Sequence, residues 1–169
     1  MLTHKFTRPV TGIEVSGKEV TQIIADYIIE DPTANYEFTV GTDSQAFSDH
    51  TRIVEVIAVR RVGRGGIFFF YKDFVPLIKD LREKIITETY RSLENANGLL
   101  DDVELILLEK NIDINKLNIR FQVHCDIGEE GKTKMFIQEI VGWVQSYHFD
   151  CLIKPNSYTA SGIADRLTK

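Results

Sequence analysis

The sequence predicts an α/β fold built on a mixed sheet. Two observations carry that expectation. Three strand-like runs follow one another between residues 36 and 74, and helical and strand-like runs then alternate to residue 169. Strands joined by short turns pair antiparallel, whereas strands separated by helices return through crossovers and enter parallel.

Each element has its own local reason. Ser16-Gly17-Lys18-Glu19 has the pattern of a capping box, with Glu19 reaching back to the N-cap. Val20, Ile23, Ile24, Tyr27 and Ile28 then share one helical face until Asp31-Pro32 stops the run. In "YEFTVGTDSQ" Phe38 and Val40 alternate with Thr39, Gly41 and Asp43, which is the period of a strand. "TRIVEVIAVRRV" and "IFFFYKDF" flank the turn "GRGG" and read as an antiparallel hairpin. Residues 77 to 97 read as a long helix ended near Asn97-Gly98, and "DDVELILLEKN" as a shorter second one. "NIRFQVHCDIG" is the fourth strand, "KTKMFIQEIVGWVQSYH" a helix, "FDCLIKP" the fifth strand and "ASGIADRLTK" a terminal helix. The order is α, βββ, αα, β, α, β, α.

Length and composition bound the rest. A chain of 169 residues suits a single domain over 1–169, with residues up to about 34 as an N-terminal helical extension. The apolar runs fall far short of the roughly 18 residues of a membrane span, and "MLTHKFTRPV" lacks the apolar centre of a secretory signal. Cys125 and Cys151 sit in apolar segments without metal-ligand spacing, so they read as buried thiols of a reducing, cytoplasmic compartment. A net charge of −5 argues against binding nucleic acid by bulk electrostatics. It leaves room for a local basic groove or for an acidic site that recruits metal ions.

The acids in unusual places carry the functional signal. Aspartate is depleted in strands, yet Asp43 lies in or at the end of one and Asp126 ends another. Either alone reads equally well as a turn or capping residue. Together at neighbouring strand ends, they would repel unless a divalent cation compensated them. Leu81, Ile85, Glu88 and Ser92 form the stripe of the long helix that should face the sheet, which places Glu88 on a buried face. Glu83 is rotated about 140° from Glu88 and belongs to the wetter side. Asp165, beside Ile163 and Ala164 in the terminal helix, is a fourth acid, weak by itself.

"GTDSQ", "ETYRSL", "DIGEEGKTK", "IKP" and "GIADRLTK", in this order and spacing, resemble the bacterial YkuK-like family of ribonuclease H-like proteins over roughly residues 35 to 169. The resemblance implies a ribonuclease H-like fold, with a five-stranded mixed sheet, its second strand antiparallel, and helices on both faces. It also implies two Mg²⁺ or Mn²⁺ ions, with Asp43 bridging them, Glu88 and Asp126 completing one site and Asp165 serving the other. The expected activity is metal-dependent hydrolysis of nucleic-acid phosphodiesters. The rivals are a domain that kept the fold and lost catalysis, and an enzyme acting on a small phosphorylated substrate.

Other motifs have two readings each. "GKT" at 131–133 looks like a phosphate loop, but such a loop needs a glycine at position 126, where Asp126 stands. No nucleotide is expected there. Arg60, Arg61 and Arg64 could grip phosphate or simply keep an edge loop solvated. Lys154 could steer a phosphate or be ordinary surface. His124 could shuttle a proton or be a satisfied buried imidazole. Gly142, in mid-helix, is read as permitting close helix packing.

Overall fold

A computed structural model describes residues 1–9 and 11–157. The elements in chain order are β1 (Phe6–Thr7), β2 (Glu14–Val15), α1 (Gly17–Glu30), β3 (Asn35–Ala46), β4 (His50–Arg61), β5 (Gly66–Pro76), α2 (Leu81–Glu109), β6 (Asn118–His124), α3 (Ile137–Gln145) and β7 (Asp150–Leu152). Short 3₁₀ turns at Ile114–Lys116 and Lys132–Phe136 precede β6 and α3.

The five expected strands are β3 to β7, but the sheet has seven, in the order β2-β1-β5-β4-β3-β6-β7. The five-strand expectation is corrected at the N-terminus. β1 meets β5 at Thr7↔Phe70 and β2 continues outward, both antiparallel. Segments of two residues have no readable period; only the open edge of β5 makes them strands. β4 runs antiparallel to β3 and β5, as expected, and β6 and β7 join β3 in parallel.

Two helical readings also change. The break near Asn97-Gly98 does not occur, and one helix runs from Leu81 to Glu109. Gly98 sits inside it against the backbone of Met1, where an added Cβ would lie 3.0 Å from the Met1 carbonyl carbon. The glycine provides close approach here, not a C-cap. Ser16 does cap α1, accepting from the Glu19 amide at 3.1 Å.

The core lies between one face of the sheet and the helices. Tyr36, Phe38 and Val40 of β3, Val59 and Ile57 of β4, Ile24 and Ile28 of α1, Leu99 and Val103 of α2, and Ile140 and Val144 of α3 belong to one buried cluster. α1, α2 and α3 therefore share a face. The expected terminal helix over residues 160–169, Asp165 included, lies outside the described residues. Among the described residues the second face of the sheet carries no helix, and no helix is long and apolar enough to cross a membrane.

Candidate active site

β3 and β6 are parallel neighbours paired up to Gly41↔His124. Asp43 and Asp126 each stand two residues further on, just past the end of the parallel pairing; Asp43 is still paired with Val54 of β4, while Asp126 has left β6. β3 alternates sides, and Ser44 turns toward α2 while Asp43 points to the opposite face. Glu88 comes from α2 and is 6% exposed, whereas Glu83 is exposed. The helical stripe did identify which acid is buried.

Glu88 is held by three donors. Its Oε2 accepts from the Ser44 amide at 2.8 Å, the Ser44 hydroxyl at 2.6 Å and Lys84 Nζ at 3.0 Å. A turn away, Thr42 Oγ1 and Ser92 Oγ lie 2.8 Å apart and pin α2 to β3. Burial pushes the Glu88 carboxyl up to about 7, against the lowering pull of Lys84 and Ser44; the nearby Asp43 adds to the rise. Burial works against the Lys84 ammonium too. The fields of Glu88, Asp43 and Asp126 nevertheless raise its pKa. Three acids thus act on one lysine. Asp126, half-buried, holds Lys154 Nζ at 2.8 Å. The stem of Lys154 crosses Gly128, where an added Cβ would meet Lys154 Cβ at 3.0 Å, so glycine keeps that lysine's path open.

Carboxylate oxygens are the donors that Mg²⁺ and Mn²⁺ prefer, and the lysine ammonium groups on Glu88 and Asp126 mark both acids as cation-seeking. In donor chemistry the set fits those ions. Among the described residues no three His, Cys, Asp or Glu side chains close on one point to form a cage. The fourth expected acid, Asp165, lies outside the described residues.

Lys84 was not singled out from the sequence, although its spacing of four residues from Glu88 marks an ion pair along a helix. Arg60 and Arg61 are not brought to the acids. Arg60 pairs with Glu37 at 2.8 Å, and Arg61 lies over the Tyr27 ring at 4.0 Å and donates to the Tyr27 carbonyl. Glu37 precedes Asp43 by six residues on β3, which puts these arginines about 20 Å away. Arg64 is paired with Asp31. His124 is buried beside Gln122, and burial lowers its pKa against the raising pull of the Ser157 backbone. Cys125 and Cys151 are free thiols with sulfurs 3.9 Å apart.

The glycine-lysine-threonine stretch is closed to phosphate. Thr133 Oγ1 already accepts from the Gly128 amide at 3.0 Å, and Lys132 begins a 3₁₀ turn rather than a full helix. Lys132→Ala is accordingly expected to leave ATP affinity unchanged. ATP binding in a calorimeter that vanishes in this variant would restore the phosphate-loop reading.

Residues 19–169 match the family described as Ribonuclease H-like. Over 161 residues the chain is 35% identical to the protein titled "Uncharacterized protein YkuK" from Bacillus subtilis (strain 168), with 92% of each chain covered. No solved structure matches.

Proposed function

Because the chain belongs to the ribonuclease H-like family, we propose that it is a metal-dependent nuclease that hydrolyses phosphodiester bonds of nucleic acid. Asp43, Glu88, Asp126 and Asp165 are the acids we assign to two Mg²⁺ or Mn²⁺ ions. The observation that carries this reading is a buried glutamate, Glu88, near two aspartates that stand just past the end of the parallel β3–β6 pairing. A buried carboxylate costs several kcal/mol unless compensated; Ser44 and Lys84 compensate Glu88, and its place near Asp43 and Asp126 is what favours a metal role over a structural one. Divalent ions held by these acids would supply positive charge to the oxygens of the scissile phosphate.

The chain's own groups have distinct tasks in this reading. Ser44, through its amide and hydroxyl, fixes the Glu88 carboxylate in one orientation. Lys84 balances the acids in the absence of other cations. Lys154 is more than half exposed on the rim, where its ammonium group can move from Asp126 to a phosphate oxygen.

Mn²⁺ is expected to raise the melting temperature of the wild type, because a ligand that binds only the folded state stabilises it by mass action. Asp43→Asn should lose most of that increase, because a neutral amide is a weaker ligand for these ions than a carboxylate. Equal responses of the two proteins in a melting assay would rule out a metal site shared through Asp43. The two lysine–acid pairs favour a second reading, an interaction module in which lysines permanently replace the ions. Oligonucleotide binding without cleavage in Mn²⁺ would establish that module.

A further inference from the structure

The sheet face that carries Asp43 also carries a cluster of rings and cations at the same end of the molecule. Across the strands Asp43 lies opposite Val54, which lies opposite Lys72; one step outward, Gln45, Arg52 and Phe74 form the next row. Directly paired residues share a face, so these side chains emerge on one side. Phe74 is 63% exposed and Phe47, at the turn between β3 and β4, is 39% exposed. His50 joins them. Its ring stacks on Phe47 with centroids 5.0 Å apart and planes 12° apart, and lies 5.9 Å from Phe74. The Arg52 guanidinium sits 5.0 Å above the Phe47 ring while donating to Gln45, and Lys72 Nζ lies 5.8 Å from the ring of Phe70.

Such exposed rings gain nothing in water, and apolar burial does not explain them. Asp49, the acid beside these rings, is occupied by His50 at 2.7 Å. What remains is flat aromatic surface bordered by Arg52 and Lys72, in a chain whose overall charge is negative. Aromatic faces with adjacent cations suit unstacked bases and their phosphates, whereas the bases of a duplex are already stacked on each other. With strands about 4.8 Å apart and residues about 3.3 Å apart along each, the backbone at Phe74 is about 12 Å from that at Asp43.

We propose that Phe47, His50 and Phe74, with Arg52 and Lys72, form a stacking platform that binds single-stranded nucleic acid and leads it to Asp43. This names the substrate class of the nuclease reading and rests on it for the destination of the strand. The test measures fluorescence anisotropy of labelled 12-mers of uridylate and thymidylate, and of a duplex of equal length, with the wild type in EDTA. The single strands should bind at least tenfold more tightly than the duplex. Phe74→Ala and Phe47→Ala should each weaken binding about tenfold or more. Arg52→Ala and Lys72→Ala should weaken it and make it less salt-dependent.

Both phenylalanines are exposed, so thermal melts should show folded variants. Equal or tighter duplex binding, or wild-type affinity in both phenylalanine variants, overturns the platform. So does a dimer-to-monomer shift in Phe74→Ala with affinity unchanged, which would make this face a contact between copies of the chain. Cleavage of the same 12-mers in Mn²⁺ separates the two claims. Cleavage with unaltered rates in the phenylalanine variants removes the platform and leaves the nuclease. Platform-dependent binding with no cleavage removes the nuclease and leaves the platform.

Discussion

Glu88→Gln is expected to reduce Mn²⁺-dependent cleavage by more than about a hundredfold while the protein stays folded. Losing an outer partner of a metal ligand already costs 10–100-fold in affinity or activity, and Glu88 is assigned as a ligand itself. The fold should tolerate the change. The Gln carbonyl oxygen can still accept from the Ser44 amide, a buried charge is removed, and Lys84, partly exposed, can turn to water. The net stability change should stay within about 1 kcal/mol. Glu83→Gln is the control on the same helix. It lies on the exposed side, and its replacement should shift stability by no more than about 0.5 kcal/mol and leave the rate alone. Rates for both variants on one substrate, with their melting curves, decide the case. A dead Glu83→Gln beside an active Glu88→Gln would remove Glu88 from the site.

The largest stability effect should come from Glu55, at the centre of β4. It is 1% exposed and bonded on both oxygens. Asn95 donates to Oε1 at 2.6 Å; Arg91 reaches Oε2 at 3.0 Å and Asp73 at 2.9 Å; His4 lies 3.7 Å from Oε2 and stacks on Tyr71. One carboxylate thereby fastens α2, β5 and the N-terminal segment to the sheet. Among the described residues, Glu55→Ala leaves Arg91 with Asp73 alone and the Asn95 side-chain amide without an acceptor. It should cost about 3 kcal/mol by chemical denaturation, as breaking a buried ion pair does. A loss below about 1 kcal/mol would show that the network adds nothing net.

The same residue predicts a pH dependence. Burial raises the Glu55 carboxyl above its usual 4.5, although His4, Asn95 and Arg91 pull it down. The folded state therefore holds this proton where the unfolded chain has released it. That contribution is complete below about 4.5 and is lost as pH rises through the folded value. Glu55→Gln does not titrate, so its stability relative to the wild type should improve from pH 4.5 to 7.5. A difference that stays constant or reverses would contradict a raised Glu55.

Local sequence was enough for what depends on local geometry. The 3.6-residue period separates Glu88 from Glu83, because burial of a helix stripe is written in its spacing. Strand alternation put Asp43 opposite the face of Phe38 and Val40, and Ser16 caps α1 as read, with Glu19 reaching back to the Ser16 hydroxyl rather than its amide. Glu55 in "RIVEVIAV", an acid in an apolar strand, carries the same sequence signal as Asp43. Contacts between distant segments needed the tertiary structure. Gly98 looks like a helix end until Met1 is found packed against it, and Phe6–Thr7 becomes a strand only because β5 offers unpaired backbone. Arg60 and Arg61 share a strand with Arg52, but strand length places them at the far end from Asp43. Lys154 becomes a partner of Asp126 only once the segment after β7 reaches the end of β6, whereas the Lys84–Glu88 pair is local to α2. Periodicity reports which side of an element is buried; which element it is buried against is decided by packing among residues far apart in the chain.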